Sequence, residues 1–166
     1  MNAEQLITRM RLKPLGIEGG YYFETFRSGD TIASEHLPDR YKSDRCLSTA
    51  IYYLLTDDTK SKMHRILSDE IFHFYIGDPV QMLQLNPNGS SNIFYLGNEI
   101  MNGQRPQVVV PGGVWQGSQL VEGGKFALMG TTVAPGFEFD EFEHGDMAEL
   151  TGMFPQHKDL IESLTL

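Results

Sequence analysis

The stretch "MHRILSDEIFHFYIGDP", residues 63–79, decides how this chain is read. It sets two histidines, three acids and one arginine within segments that otherwise look like β-strand. Polar and charged groups are costly to bury unless something satisfies them. Ser68-Asp69 divides the stretch into strands over "KMHRIL" and "EIFHFYIG". Side chains alternate between faces along a strand. His64 therefore shares a face with Ile66, and Glu70 with Phe72 and Phe74, while His73 points the other way with Ile71 and Tyr75. If the two strands form a hairpin folded over a barrel interior, His64 and Glu70 both face inward and meet. The stretch then holds one inward dyad and one outward histidine.

On either side, β signals dominate. "GGYYFETFRS" (19–28) and "LSTAIYYLLT" (47–56) read as strands, the second rich in β-formers. Residues 30–46, "DTIASEHLPDRYKSDRC", read as a long polar loop. "VQMLQL" and "NIFYLG" flank Asn88-Gly89, a strong hairpin signal, and "PQVVVPGG", "WQGSQLV" and "KFALMGTTVAP" follow. Glu122-Gly123-Gly124 marks a second hairpin. "NAEQLITRMR" (2–11) reads as a short helix capped by Asn2, with Leu6, Ile7 and Met10 on one face and Pro14 and Gly16 ending it. "GDMAELTGMF" and "PQHKDLIESLTL" read as two further short helices, the second with Leu160, Ile161 and Leu164 on one face. Short strands at about 8–12-residue spacing imply an all-β sandwich or barrel whose ends the helices cap.

The 166 residues suit one domain with one core, residues 1–166. A net charge of −9, with no Lys/Arg cluster, disfavours nucleic acid and anionic membranes as partners. No apolar run approaches the roughly 18 residues of a membrane span, and the N-terminus lacks the pattern of a signal peptide. The expected location is cytoplasmic. Cys46 is the single cysteine, so no intrachain disulfide forms, and it reads as a buried inert thiol. Asn88-Gly89-Ser90 reads as a plain turn. In "FEFDEFEHGD" (137–146), Phe137, Phe139 and Phe142 read as anchors and the acids as a solvated face.

The spacing of His64, Ile66, Glu70 and Gly77 resembles the first cupin motif, and "PGGVWQ" (111–116) resembles the core of the second except at its last position. With "GGYYFETFRS", "STAIYYLL", "TTVAPGFEFDEF" and "FPQHKDLI", the chain from about residue 3 onward is identified as a member of one cupin family, domain of unknown function 985 (cupin 5). That family includes a yeast protein likened to sugar epimerases. The resemblance implies a double-stranded β-helix, a jelly-roll barrel, usually paired as a homodimer. Ile71, Tyr75 and Met82 are the outward apolar residues that would support the pairing.

Departures from the cupin pattern shape the functional expectation. Metal-binding cupins typically supply three histidines and a glutamate. Here His64 and Glu70 hold two of those positions, but Ile66 and Gln116 hold the others, a poor set for a transition metal. The expectation is therefore no metal and no cofactor. His64 becomes a general base and Glu70 the group that orients its ring, in a metal-independent sugar or nucleotide-sugar epimerase or isomerase. The proton donor would be one of Tyr22, Tyr52, Tyr53 and Tyr75. Gln116, Glu24 and Arg27 are the expected polar contacts to a carbohydrate-like or nucleotide-linked small molecule. Phe72 and Phe74 would form the apolar floor of the pocket, and Trp115 would stand at its mouth. A non-catalytic small-ligand-binding protein and a degenerate metal-dependent cupin are the alternatives, since one barrel hosts unrelated functions.

Overall fold

The structure is a computed structural model describing residues 1–165; Leu166, the last residue of the expected C-terminal helix, lies outside it. Helix α1 (Ala3–Met10) leads into strands β1 (Lys13–Pro14), β2 (Tyr21–Arg27), β3 (Thr31–Ile32), β4 (Arg45–Cys46), β5 (Thr49–Thr56), β6 (Ser61–Arg65) and β7 (Asp69–Gly77). Strands β8 (Val80–Leu85), β9 (Ser91–Leu96), β10 (Gln107–Val110), β11 (Trp115–Leu120), β12 (Phe126–Ala134) and β13 (Glu143–His144) follow, then α2 (Met147–Met153) and α3 (Lys158–Thr165). A six-stranded antiparallel sheet, β1-β2-β5-β12-β7-β10, faces a five-stranded one, β13-β6-β11-β8-β9. This is the jelly-roll barrel with its N- and C-terminal helices.

Local chemistry explains the elements. The Asn2 side chain accepts from Gln5 N–H and the Gln5 side chain accepts from Asn2 N–H, a reciprocal cap that starts α1. Arg11, at φ 57°, ends the helix in a left-handed turn, ahead of the expected Pro14 and Gly16. Leu6 packs with Leu12, Leu54 and Leu128 on the outer face of the six-stranded sheet. The β8–β9 hairpin turns at Gly89, at φ 86°, as its Asn-Gly signal predicts.

Connectivity departs from the sequence reading at several points. Strands β6 and β7 do not pair as a hairpin: β6 lies between β11 and β13, and β7 between β12 and β10. Leu67 and Ser68 carry the chain from one sheet to the other, so both strands still turn one face to the barrel interior. Gly123 likewise turns the chain between sheets, from β11 to β12, and makes no hairpin. Residues 30–46 are pinned by a β3–β4 ladder, Thr31 to Cys46 and Ile32 to Arg45, and Cys46 is buried.

The inner core gathers Tyr53, Leu55, Phe72, Phe74, Met82 and Met129 among others. Met82 is therefore a core residue and lies on no outward face. Helices α2 and α3 do not cap the barrel ends. They lie on the outer face of the five-stranded sheet, where Leu150, Phe154, Ile161 and Leu164 cover Met63, Leu83, Leu85 and Trp115. Burying a side chain of this size contributes about 1.5–3 kcal/mol, which makes the helices integral to that sheet.

Candidate functional site

Residues of both sheets and of the connections beside them line a cavity of about 240 Å³. Strand β6 contributes His64, with Ile66 just beyond it; β7 contributes Glu70, and β12 contributes Thr131 and Val133. Leu15, Ile17 and Glu18 come from the β1–β2 connection, and Phe137, Phe139 and Phe142 from the segment after β12. His64, 2% exposed, and Glu70, 8% exposed, thus open into one space from opposite sheets.

Their relation is not the expected one. His64 Nδ1 lies 2.7 Å from the carbonyl of Lys62. A carbonyl only accepts, so Nδ1 carries a proton, and in the neutral ring the Nε2 lone pair faces the cavity. The backbone of Lys62, not Glu70, orients the ring, and Phe142 stacks on it at 4.8 Å and 13°. The nearest carboxylate to Nε2 is Glu18, whose Oε2 stands 3.9 Å away. The other Glu18 oxygen accepts a 2.6 Å bond from Ser61 Oγ.

Glu70 is held instead by Gln116, whose amide donates a 2.7 Å hydrogen bond to Glu70 Oε2. Gln116 pairs in register with His64 on the neighbouring strand and is 1% exposed, so it braces Glu70 and does not line the cavity. Burial pushes the Glu70 carboxyl up to about 7, the Glu18 charge adds to the rise, and His64, Gln116 and Thr131 act against it. Near neutral pH this group is therefore poised between acid and base.

At the mouth, Glu24 and Arg27 both line the cavity. Arg27 is fully engaged: Nη2 donates to Glu24 Oε2 at 3.0 Å and to the Phe137 carbonyl at 3.2 Å, and Nη1 to Glu138 Oε1 at 2.6 Å. Of the four tyrosines, Tyr22 lines the cavity. Tyr53 is buried, donates to the Gly19 carbonyl at 3.0 Å, and burial raises its hydroxyl well above the usual tyrosine range. Tyr52 and Tyr75 meet edge-to-face at 6.1 Å on the outer face.

Besides Gln116, three expected contacts fall elsewhere. Phe72 and Phe74 belong to the inner core and do not reach the cavity wall; Ile51, Ile66 and Phe142 form its apolar surface instead. Trp115 alternates with inward Gln116, so it faces out beneath α2 and α3, with the Arg65 guanidinium 4.3 Å over its ring. The sequence reading missed Glu18, although an acid just before Gly19-Gly20 at a strand start was a visible signal. Gly19, at φ 110°, brings its Cα so close to the Lys60 carbonyl that a Cβ would stand 2.1 Å from it, which fixes Glu18 over the cavity. Glu141 was also missed. It is buried, 3.6 Å from Arg45 Nη1, and accepts from Ser68 N–H and Oγ. The acids of "FEFDEFEHGD" are therefore not all solvated.

The sequence matches the model of the cupin superfamily family DUF985 over residues 4–145. The chain belongs to that cupin family. It is 35% identical over 133 residues to an uncharacterized protein of the yeast Saccharomyces cerevisiae, covering 75% of this chain and 66% of the yeast protein, just under two thirds of its length. Solved structures similar to this cupin include a protein of Shewanella oneidensis, 34% identical with a TM-score of 0.86, covering 100% of this chain and 98% of that one. A hypothetical protein from Leishmania major is 30% identical with a TM-score of 0.87, covering 99% of each chain. Oxalate decarboxylase from Bacillus subtilis, at 17% identity and a TM-score of 0.52, shares 89% of this chain with 35% of its own and shows the barrel fold alone.

The donor set does not fit the transition metal that many cupins carry. Ile66 offers no ligand, Gln116 turns its amide N–H to Glu70, and Glu70 Oε2 is committed to that bond. Among the described residues no group of three or more His, Cys, Asp or Glu is arranged to hold an ion. Nor is any described helix long and apolar enough to cross a membrane.

Proposed function

We propose that this cupin binds a small molecule in the barrel cavity and moves a proton on it without a metal, as an isomerase or epimerase does. One observation carries the reading: His64 is locked through Nδ1 and leaves Nε2 open to a mostly apolar cavity. That is the arrangement of a general base. Glu70 stands on the opposite sheet with a carboxyl near pKa 7. His64 Nε2 takes a proton from a carbon next to a carbonyl group, and protonated Glu70 returns one to the other face. Exchange with water resets both groups. Of the expected substrates, a carbohydrate-like molecule of single-ring size suits the cavity. At about 240 Å³ it is smaller than typical drug-sized sites of about 300–1,000 Å³, so the nucleotide part of a nucleotide-linked sugar would lie outside it.

The test is deuterium incorporation from heavy water into a panel of small sugars and amino sugars, followed by NMR. The expected result is exchange at one carbon that His64→Asn abolishes while thermal melting is unchanged. Exchange that survives His64→Asn would overturn the assignment. A ligand bound tightly by wild type with no exchange at any carbon would favour a binding protein instead.

We also propose that the chain pairs with a second copy through the outer face of the six-stranded sheet. Phe23, Tyr52, Gly130, His73 and Gln107 form one cross-strand row there, and Phe26, Ala50, Thr132, Ile71 and Val109 the next. Neither row carries Asp, Glu, Lys or Arg. In a chain of net charge −9, two such faces can meet without bringing like charges together.

A further inference from the structure

We propose that the cavity selects a small primary amine, held in its protonated form with the nitrogen between Glu18 and His64 and an apolar or ring-sized body against Ile51, Ile66, Phe137 and Phe142. The inference rests on the cavity being the ligand site, as proposed above, but not on proton transfer occurring there.

Hydrogen-bonding capacity at the inner end makes the first argument. With Nδ1–H committed to the Lys62 carbonyl, neutral His64 shows only an acceptor at Nε2, and that nitrogen makes no hydrogen bond within the protein. Glu18 Oε2, also an acceptor, faces it at 3.9 Å. Two acceptors at that separation leave each other unsatisfied, and a group with several N–H bonds set between them satisfies both. His64 is 2% exposed and opens only into this cavity.

Charge makes the second. The cavity wall holds the carboxylates of Glu18 and Glu24, the titrating carboxyl of Glu70, and one guanidinium, Arg27. Arg27 is already bound by Glu24 and by Glu138, and among the described residues no lysine lines the cavity. A phosphate or carboxylate entering would find no lysine and no free arginine, and would meet several carboxylates in a low-dielectric space. An ammonium group gains from the same field. The aromatic and aliphatic walls then cover the rest of a small ligand, and the Phe137 and Phe142 rings favour cations near their faces.

Isothermal titration of wild-type protein at pH 7.5 (a working pH of about neutral) with matched probes tests this. Benzylamine and glucosamine are compared with neutral benzyl alcohol and glucose, and with anionic phenyl phosphate, benzoate and glucose 6-phosphate. The expected result is that an amine binds about tenfold or more tightly than its neutral counterpart, the gain of one charge-assisted contact. The anions show no heat. Glu18→Gln, nearly isosteric, should bring the amine down to the neutral probe while leaving the melting curve cooperative. An anion binding as tightly as the amine, equal binding of amine and neutral probe, or no binding of either amine overturns the proposal. The wild-type ranking alone decides if the variant fails to fold. Glucosamine binding without exchange at any carbon would sink the isomerase reading and leave this inference standing; exchange on a phosphorylated sugar would do the reverse.

Discussion

Gln116 reaches across the barrel from the five-stranded sheet and donates a 2.7 Å hydrogen bond to Glu70 Oε2 on the six-stranded sheet. At the position where the cupin motif would lead one to expect a histidine, this chain places an amide that braces a carboxyl. The bond ties the two sheets together at the cavity end and holds Glu70 against a burial cost that its raised pKa records.

That cost sets a pH dependence. Glu70 rises from an ordinary value of 4.5 to about 7 on folding. A carboxyl with a raised folded-state pKa leaves stability intact below pH 4.5 and removes it as pH climbs through 7. The full shift corresponds to roughly 3 kcal/mol. Glu70→Gln keeps the bond to Gln116 and carries no charge. It should be more stable than wild type by up to that amount at pH 8 and equal to it at pH 4, read by urea denaturation at both pH values. Equal stability at pH 8 would mean Glu70 titrates normally.

The carboxyls are coupled. After burial, the Glu18 charge is the largest cause of the Glu70 shift. Glu18→Gln should therefore move the Glu70 midpoint downward, toward the ordinary glutamate range. Carbon-13 NMR of the side-chain carboxyls reads this directly. An unmoved midpoint would show that solvent screens the pair.

The His64 ring should sit in one tautomer. Nitrogen-15 NMR of neutral His64 is expected to show a protonated Nδ1 and a bare Nε2, because the Lys62 carbonyl accepts only from Nδ1–H. The opposite tautomer would place the proton on the cavity side and remove the general base.

Much of this was legible before the structure. Alternation within residues 63–79 placed His64, Glu70 and Phe72 inward and His73 and Tyr75 outward, since that period is a property of each strand alone. The Asn2 cap and the Asn88-Gly89 hairpin are equally local. Sheet membership was not legible, because a turn such as Gly123 looks the same whether the chain reverses in one sheet or crosses to the other. Trp115 was misread for a related reason: helices from the far end of the chain turn an outward strand position into core. Glu18 and Glu141 went unseen because their partners, His64 and Arg45, are distant in sequence.

Arg45 and Glu141 carry a stability prediction. Arg45 is 1% exposed, pairs with Asp140 at 2.9 Å and Glu141 at 3.6 Å, and so joins residues 30–46 to the segment over the cavity. Removing one member of a buried pair strands the other. Arg45→Met should cost roughly 3–5 kcal/mol, and Arg45→Met with Glu141→Gln, whose amide oxygen still accepts from Ser68, should recover part of it. Urea denaturation of both variants checks the cycle. A single-variant loss below about 1 kcal/mol would class the pair with solvent-screened ones.

The outer sheet face gives the last prediction. Phe26, Tyr75 and Val109 are 53%, 46% and 49% exposed in the single chain, an unusual display for side chains of this kind on one uncharged face. In a two-fold pairing each residue meets the same patch on the partner, so one substitution acts twice. Val109→Glu would place a carboxylate in an apolar contact from both sides, while changing a position that is open to solvent in the lone chain and touches no cavity residue. Sedimentation at micromolar concentration should show wild type at twice the monomer mass and Val109→Glu at the monomer mass, with its melting curve still cooperative. Wild type sedimenting as a monomer would show that this face does not pair two copies.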